Sequence, residues 1–432
     1  MPGGDDERLQ DLVGDCVHCG FCLPACPTYA LWGEEMDSPR GRIHIFGQVL
    51  SGTPIESATV KHFDSCLSCM ACVTACPSGV QYGEIVEAAR DQVEQSAKRP
   101  FPERLSRSAI FALFPYPRRL RVARLFLAAA QASGLRALLR RPRVAARAPS
   151  LLRAMESVAP PISPIERLPL RVAAVGNRRG VVGLLTGCVQ SVFFSEINAA
   201  TARVLAAEGF DVVIPKAQGC CGALSEHVGR KSEALRLAKK TIEVFRATEV
   251  DFVVVNAAGC GSAMKEYSRF FRDDPYFSTE ADWLASRTRD ISELLASVGS
   301  RAKRHPLRAR IAYHDACHLA HAQGIRLQPR ELLQEIPELD LCEIQDTMCC
   351  GSAGIYNLVQ PDAANELGDR KAAAVIAAQP TIVVTSNPGC LMQIRSALER
   401  TKSEIRTAHI VEVLDSSIKG PGGSMSRTHP AT

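Results

Sequence analysis

The sequence lacks long apolar runs, and no uninterrupted stretch approaches the roughly 18 residues that a membrane-spanning helix needs. Its first residues, MPGGDDERLQ, are acidic and polar rather than basic and then apolar, as in a secretory signal. Disordered and low-complexity classes are excluded, because 46% of the 432 residues are hydrophobic and 22% are charged. These absences predict two or three folded domains in a reducing compartment.

Tryptophan is scarce, with two residues, whereas cysteine is abundant, with 17. A chain of this length needs no disulfides for stability. Because the compartment is expected to be reducing, we expect cysteines in this number to bind metals. Sixteen of them form four ordered sets, two in residues 1–97 and two in residues 171–419. Cys342 stands outside these sets, and we expect it to be a core residue.

Residues 1–97 contain the pattern C-x2-C-x2-C-x3-C-P twice, at Cys16, Cys19, Cys22 and Cys26 and at Cys66, Cys69, Cys72 and Cys76. This is the bacterial [4Fe–4S] pattern, in which the fourth cysteine binds the other cluster. The predicted ligands are therefore Cys16, Cys19, Cys22 and Cys76 for cluster 1, and Cys66, Cys69, Cys72 and Cys26 for cluster 2. Zinc is the alternative, but a zinc ribbon requires neither the third cysteine nor the terminal Cys-Pro.

The C-terminal half is an internal duplication. Cys188, Cys220, Cys221 and Cys260 recur as Cys317, Cys349, Cys350 and Cys390, at offsets of 129, 129, 129 and 130 residues. In both copies the adjacent cysteines precede a glycine, which gives a CCG motif. Short β-branched runs such as FVVVNAAGC and TIVVTSNPGC alternate with helical segments (225–247 and 363–378). This alternation predicts one α/β unit per copy, with cysteines at the carboxyl ends of parallel strands.

The ligand of the CCG cysteines stays open from the residues alone. Each copy could hold a further iron–sulfur cluster or zinc with one spare thiol, or its cysteines could be small buried core residues. His314, His318 and His321 flank Cys317, and one of them could be a metal ligand or proton donor. The alternative is that these histidines are satisfied in the core, after a helix start capped by Asp315.

With these motifs, and with Ser38-Pro39-Arg40-Gly41-Arg42 between the two ferredoxin runs, the chain resembles the iron–sulfur subunits of bacterial glycolate oxidases over nearly its whole length. The CCG repeats are shared with heterodisulfide reductase, anaerobic glycerol-3-phosphate dehydrogenase and lactate-utilisation subunits. In heterodisulfide reductase the repeat ends in CxxC and holds a noncubane cluster. Here Gly261-Ser262-Ala263 follows Cys260, and Leu391-Met392-Gln393 follows Cys390, so the resemblance stops short of that cluster.

The resemblance implies an electron-transfer subunit of an oxidoreductase complex of the glycolate dehydrogenase type, with no catalytic residue of its own. FAD on partner oxidase subunits would oxidise glycolate to glyoxylate, and this chain would pass electrons toward quinone or another acceptor. The sequence agrees, since it contains no GxGxxG after a strand, no P-loop and no flavin signature. The alternatives are the same role in a lactate or glycerol-3-phosphate oxidising complex, or a catalytic subunit like heterodisulfide reductase.

The expected fold is α+β and multidomain. A helical two-cluster ferredoxin domain (1–97) precedes a basic helical and Pro-rich connector (98–170), two α/β CCG repeats (171–301 and 302–419) and a disordered tail (420–432). Residues 98–153 contain 14 Lys and Arg but one acid, Glu103. This segment is either a solvated connector or a surface for anionic lipid; nucleic acid is not an expected partner, because no recognition motif is present. The expected location is the cytoplasm, either free or peripheral on the membrane.

Overall fold

The first hundred residues form a helical domain. In the computed structural model, which describes residues 4–134, 144, 147 and 149–420, its elements are α1 (Gly4–Gly14), α2 (Pro27–Trp32), a 3₁₀ turn (Glu35–Asp37), α3 (Pro39–Leu50), α4 (Ser57–Asp64), α5 (Ala71–Ala75) and α6 (Tyr82–Ser96). Helix α3 begins at Ser38, whose hydroxyl accepts a hydrogen bond from the Gly41 N–H at 3.0 Å. The apolar faces of α3, α4 and α6 meet in a core that contains Phe46, Phe63 and Ile85.

The connector crosses both CCG repeats rather than projecting from them. Its described helices are α7 (Phe101–Leu113), α8 (Pro117–Ala132) and α9 (Ser150–Val158). Helix α9 packs on the helices Tyr356–Val359 and Pro388–Arg400 of repeat 2, and the Tyr116 hydroxyl donates to Glu233 of repeat 1 at 3.2 Å. None of the described helices is both long and apolar enough to cross a bilayer. The predicted tail lies outside the described residues except for Gly420.

Two sheets form the C-terminal half. The first contains β1 (Arg171–Val172), β2 (Gly180–Leu184), β3 (Phe210–Val213), β4 (Phe252–Val255) and β5 (Thr288–Asp290) in the order β1-β3-β2-β4-β5. The second contains β6 (Ala309–His314), β7 (Leu339–Cys342), β8 (Ile382–Thr385) and β9 (Arg406–His409) in the order β7-β6-β8-β9. All pairs are parallel except β1 with β3. Four strands therefore repeat in the same order, which confirms the predicted α/β duplication.

Helices connect these strands. Repeat 1 contains Gln190–Phe193, Ser195–Ala207, Ala223–Glu226, Lys231–Arg246, Ala258–Lys265, Tyr267–Phe270, Ser278–Arg287 and Ile291–Val298. Repeat 2 contains a π-helix His318–Ala322 and then Gln328–Gln334, Tyr356–Val359, Pro361–Ala377, Pro388–Arg400 and Ile410–Lys419. The helix predicted over 225–247 is broken near Gly229, where φ is +80° and an added Cβ would lie 2.1 Å from the Arg90 carbonyl oxygen of α6. The close approach of α6 ends the first helix there.

The two repeats pack against each other through two equivalent pairs of helices. The helix Ser195–Ala207 of repeat 1 packs on Ile410–Lys419 of repeat 2, and Gln328–Gln334 of repeat 2 packs on Ile291–Val298 of repeat 1. Both sheets contribute to the resulting core, for example through Val182 and Val384. The repeats are thus one unit with approximate internal symmetry, and their cysteine-bearing ends open onto the same space.

Candidate metal centres

The two ferredoxin loops have the same backbone conformation. Two and four residues after the first cysteine, the chain has positive φ at His18 (53°) and Gly20 (88°) in one loop and at Ser68 (49°) and Met70 (60°) in the other. A left-handed conformation costs about 1–2 kcal/mol for a residue with a side chain. Three such residues, in matching positions of the two loops, indicate that the conformation of each loop is set by a functional requirement such as a bound ligand.

The Cys-Pro ends also match. Cys26 (φ −90°, ψ 117°) and Cys76 (φ −84°, ψ 115°) are both extended, as a residue before proline prefers. Pro27 then begins α2, because a proline ring suits the first turn of a helix. Each proline therefore follows an extended cysteine at the end of its loop, the position that the ferredoxin pattern assigns to the other cluster.

The four predicted ligands of cluster 1 surround one small cavity. Cys16, Cys19 and Cys22 from the first loop and Cys76 from the second line a space of about 30 Å³, together with Tyr82 and with Cys72, a predicted ligand of cluster 2. The crossed ligand set that the spacing predicts is therefore spatially together, although it is drawn from both motifs.

The predicted ligands of cluster 2 are buried neighbours. Burial raises the pKa of the Cys72 thiol well above its ordinary value, and the nearby thiols of Cys66 and Cys26 raise it further. Burial likewise raises the pKa of the Cys69 thiol, with further contributions from Cys317, Cys72 and Cys26. Thiols packed this closely cannot all ionise without a compensating cation, and a coordinated metal supplies one. The donor set therefore fits an iron–sulfur cluster.

Two buried arginines already favour one of these thiolates. Burial alone would raise the pKa of the Cys66 thiol, but the guanidinium groups of Arg42 and Arg90 lower it. Arg42 is held by the carbonyl of His62 at 2.6 Å and by the Ser65 hydroxyl at 2.9 Å. Arg42 and Arg90 thus give the second loop a fixed positive surrounding.

The CCG turns of the two repeats are alike. Gly222 (φ +92°) and Gly351 (φ +87°) both have left-handed backbone, and an added Cβ would lie 2.8 Å from the Ala234 carbonyl oxygen and 2.7 Å from that of Ala364. Only glycine fits such a turn, because both the conformation and the space exclude a side chain. The turn lets two adjacent cysteines face the same side.

All eight CCG cysteines line a single, mostly apolar cavity of about 160 Å³. The predicted sets are Cys188, Cys220, Cys221 and Cys260 in repeat 1, and Cys317, Cys349, Cys350 and Cys390 in repeat 2. Seven of them are buried, Cys260 is half-buried, and all are free thiols. Cys188 follows β2 and Cys317 follows β6, so each set includes a cysteine beyond the carboxyl end of a central parallel strand, where such sheets place their ligands.

Each pair of adjacent cysteines contains one thiol that ionises more easily than the other. Hydrogen bonds with Cys220 and Cys260 lower the pKa of the Cys221 thiol despite burial. The equivalent bonds with Cys349 and Cys390 lower the pKa of Cys350. A low thiol pKa favours metal binding, because the thiolate is the ligand. The donor chemistry fits a metal centre in each repeat, and its composition remains a proposal.

The positions of the additional cysteine of heterodisulfide reductase are filled by structural residues. Three residues after Cys260 stands Ala263, which is buried in the core of repeat 1. Three residues after Cys390 stands Gln393, whose amide donates to the Ala364 carbonyl at 2.7 Å. Neither position offers a metal ligand, as the sequence predicted.

The flanking histidines have separate environments. His318 packs against His227 with the ring centroids 4.7 Å apart and the rings tilted by 41°. Burial lowers the pKa of His318 to about 4, so its ring is neutral at pH 7. His321 pairs with the Thr74 hydroxyl of the ferredoxin domain at 2.9 Å. Asp315 does not cap a helix, since its carboxylate pairs with Arg330 at 2.9 Å. That expectation is wrong, because a distant arginine competed for the carboxylate.

Cys342 lies at the end of β7 and packs, half-buried, against the apolar core of repeat 2. It does not line the cavity that the other CCG cysteines share. Its role as a core residue agrees with the prediction.

Comparison with known families assigns most of the chain. A 4Fe-4S dicluster domain matches residues 13–80, and a cysteine-rich domain matches residues 182–265 and 311–395. The linker region of glycolate oxidase iron-sulfur subunits matches residues 102–159. These matches confirm the two iron–sulfur clusters and the duplicated CCG domain.

Curated relatives agree. The chain is 37% identical over 420 residues to a probable glycolate oxidase iron-sulfur subunit of Bacillus subtilis (strain 168), with 94% of this chain and 95% of that protein covered. It is 35% identical to the glycolate oxidase iron-sulfur subunit of Escherichia coli (strain K12), with 95% and 96% covered. Lactate utilization protein A of Oceanobacillus iheyensis is 29% identical over 55% of this chain and 98% of its own length.

Proposed function

The chain belongs to the family of glycolate oxidase iron–sulfur subunits, and we propose that it is the electron-transfer subunit of a complex that oxidises glycolate to glyoxylate. A partner subunit carries FAD and removes two electrons from the substrate. Iron–sulfur clusters, when bound, accept and release electrons one at a time. The chain's own residues hold these clusters and do not contact glycolate.

The supporting observation is the contact between the ferredoxin domain and repeat 2. Cys69, a predicted ligand of cluster 2, belongs to one buried apolar cluster with Cys317 and Cys349. Among the neighbouring thiols, Cys317 raises the pKa of Cys69 most. Two predicted metal sites therefore adjoin, and Cys69 lines the same cavity as the CCG cysteines. This continuity suits a protein that carries electrons from one of its sites to the next.

Reconstitution tests the proposal. Purified without oxygen, the chain alone should produce no glyoxylate from glycolate, because it has no hydride acceptor of its own. Glycolate-dependent reduction of a quinone analogue should appear when the flavoprotein subunits are added. The Cys69→Ser variant is the control, since it should assemble with the flavoprotein but reduce the analogue poorly. Turnover by the flavin-free chain alone would overturn the proposal.

A lactate-oxidising complex is the second candidate, because the relatives include lactate utilization proteins. Glycolate ranks first, since the glycolate oxidase relatives match nearly the whole chain and the linker match is specific to that family. The same reconstituted complex, given glycolate, both lactate enantiomers and glycerol 3-phosphate in turn, separates these candidates by its relative rates.

We also propose that the complex works at the cytoplasmic face of the membrane, where a quinone would accept its electrons. Helix α8 exposes three apolar side chains, Val122 (54% exposed), Leu125 (66%) and Phe126 (73%). Arg118 and Arg121 are exposed on the same helix. An amphipathic surface with basic residues beside apolar ones suits an anionic lipid interface.

We therefore expect the chain to bind vesicles that contain anionic lipid and to dissociate as salt rises, because charge attraction is screened beyond roughly 10 Å at 0.1 M salt. Reversing Arg118 and Arg121 to glutamate, or replacing Leu125 and Phe126 by serine, should weaken cosedimentation with these vesicles. Arg308→Glu, at an exposed position of repeat 2, is the matched control. If α8 binds the flavoprotein instead, the variants will lose complex assembly and the wild type will not bind vesicles at any salt concentration.

A further inference from the structure

The two CCG sites differ at one position beside the cysteines. His314 lies three residues before Cys317, and the register of the duplication places Leu185 at the same point before Cys188. Both side chains are buried, with His314 only 3% exposed. A histidine in one repeat thus replaces a leucine in the other.

His314 lies against two thiols of repeat 2. One ring nitrogen of His314 and the sulfur atoms of Cys350 and Cys390 all lie within 4.8 Å of one another. The Nε2 atom has no hydrogen-bond partner of ordinary geometry among the described residues, although the imidazole lies close enough to the Cys350 thiol to interact with it. A buried polar group without a partner costs about 1–3 kcal/mol, and leucine in the same place would cost nothing of this kind. The imidazole is therefore better explained by a ligand than by packing.

A second exchange lies next to the first. His314 is paired across the sheet with Thr385, whose buried Oγ1 also lacks a partner in the described chain. The equivalent residue of repeat 1 is Val255, by the 130-residue offset of Cys260 and Cys390. At these two positions the wall behind the cysteines is thus polar in repeat 2 and apolar in repeat 1.

The spacing of these atoms suits a metal. With metal–nitrogen bonds near 2.0 Å and metal–sulfur bonds near 2.3 Å, ligand atoms of a tetrahedral site lie roughly 3.5 Å apart. Small side-chain rotations would bring His314, Cys350 and Cys390 to that separation. Imidazole and thiolate together are a common donor set for zinc and also occur on iron in some clusters.

We propose that His314 is a metal ligand, so that repeat 2 binds its metal through an imidazole nitrogen as well as thiolate sulfur, whereas repeat 1 uses sulfur alone. This inference rests on the proposal that the CCG cysteines bind metal. The two sites are then chemically distinct despite their common origin. On iron, the imidazole ligand gives repeat 2 the higher reduction potential of the two.

The test compares the anaerobically purified wild type with His314→Leu, which makes repeat 2 like repeat 1, and with His314→Cys, which keeps a donor. His321→Leu is the control, because that histidine contacts Thr74 and not the CCG thiols. If the metal is iron, pulsed EPR of the reduced wild type should show a strongly coupled imidazole nitrogen. If it is zinc in both repeats, absorption at the zinc edge should show an average of one nitrogen ligand for every two zinc ions, with sulfur as the other ligands.

The nitrogen signal should vanish in His314→Leu and in His314→Cys and persist in His321→Leu. The cysteine variant should keep its metal, which shows that the protein has folded. An unchanged nitrogen signal or its absence from the wild type would overturn the assignment of His314. If the wild type contains only the ferredoxin iron, the CCG sites bind no metal and the inference fails with them. Neither result bears on whether the reconstituted complex oxidises glycolate.

Discussion

Serine at Cys22 should remove the same cluster as serine at Cys76, whereas serine at Cys26 should remove the other. The first two residues line one cavity with Cys16 and Cys19, although they belong to different motifs. Cys26 does not line that cavity, and its thiol is an electrostatic neighbour of Cys69 and Cys72 as well as of Cys22. Because the fourth cysteine of each run points away from its own loop, loss of one thiolate should damage a cluster whose other three ligands come from the opposite run.

The measurement combines iron analysis with EPR of the reduced protein. The wild type should contain about eight irons in its ferredoxin domain, and each variant should lose up to roughly four of them. Cys22→Ser and Cys76→Ser should lose the same EPR signal, and Cys26→Ser the other. Cys342→Ser is the control, since that thiol lies on β7 outside these sites. Loss of one common signal in Cys22→Ser and Cys26→Ser would contradict the crossed assignment, as would stoichiometric zinc in place of iron.

The cysteine spacing alone predicted which residues belong to the ferredoxin loops, because cysteines that lie three or four positions apart are placed by local backbone geometry. The positive φ values at His18 and Ser68 express that local geometry directly. The duplicated register likewise predicted two similar sheets, because repeats with the same motif spacing are expected to have the same strand order, and four strands do. Local features and repeated features can both be predicted from one sequence, because each is encoded in the spacing of residues along the chain.

Contacts between distant segments were not readable. The adjacency of Cys69 and Cys317 arises from packing between domains, and no local pattern announces it. The position of His314 behind Cys350 and Cys390 depends on how β6 and β8 align. The sequence nevertheless contained a signal, because His314 occupies the position in repeat 2 that Leu185 occupies in repeat 1. A histidine in place of a leucine in an apolar strand indicates a residue that packing does not require.

Arg42 is another residue whose role emerges only in three dimensions. It lies in the segment 38–42 that carries the family resemblance, and its side chain is 1% exposed. Its guanidinium donates to the Asp37 carboxylate at 3.1 Å and to the Thr28 hydroxyl at 3.1 Å. Neighbouring Gly41 is required by the same packing, since an added Cβ would lie 2.0 Å from the Glu35 carbonyl oxygen. The turn before α3 therefore positions the buried guanidinium group of Arg42.

Replacing Arg42 by methionine should destabilise the ferredoxin domain by about 3–5 kcal/mol, because the buried Asp37 carboxylate then loses the guanidinium and keeps only Ser65 and His62 as partners. It should also lower the reduction potential of cluster 2 more than that of cluster 1. Arg42 lies near the thiols of Cys66 and Cys26, both predicted cluster 2 ligands, and its charge offsets theirs. Hydrogen exchange of the α3 and α4 amides measures the first effect, and potentiometric EPR measures the second.

Two further variants separate the charge pair from simple loss of packing. Arg40→Met removes a partly exposed arginine from the same helix. Arg40 pairs with Glu35, and its loss should have a much smaller effect on hydrogen exchange and on the potential of cluster 2. In the double variant Arg42→Met with Asp37→Asn, neither charge is left buried alone, so much of the lost protection should return. The potential of cluster 2 should stay below the wild-type value in that double variant, because Arg90 alone then supplies positive charge to the Cys66 thiolate. Recovery of the potential along with the stability would show that Arg42 acts through the fold and not through its charge.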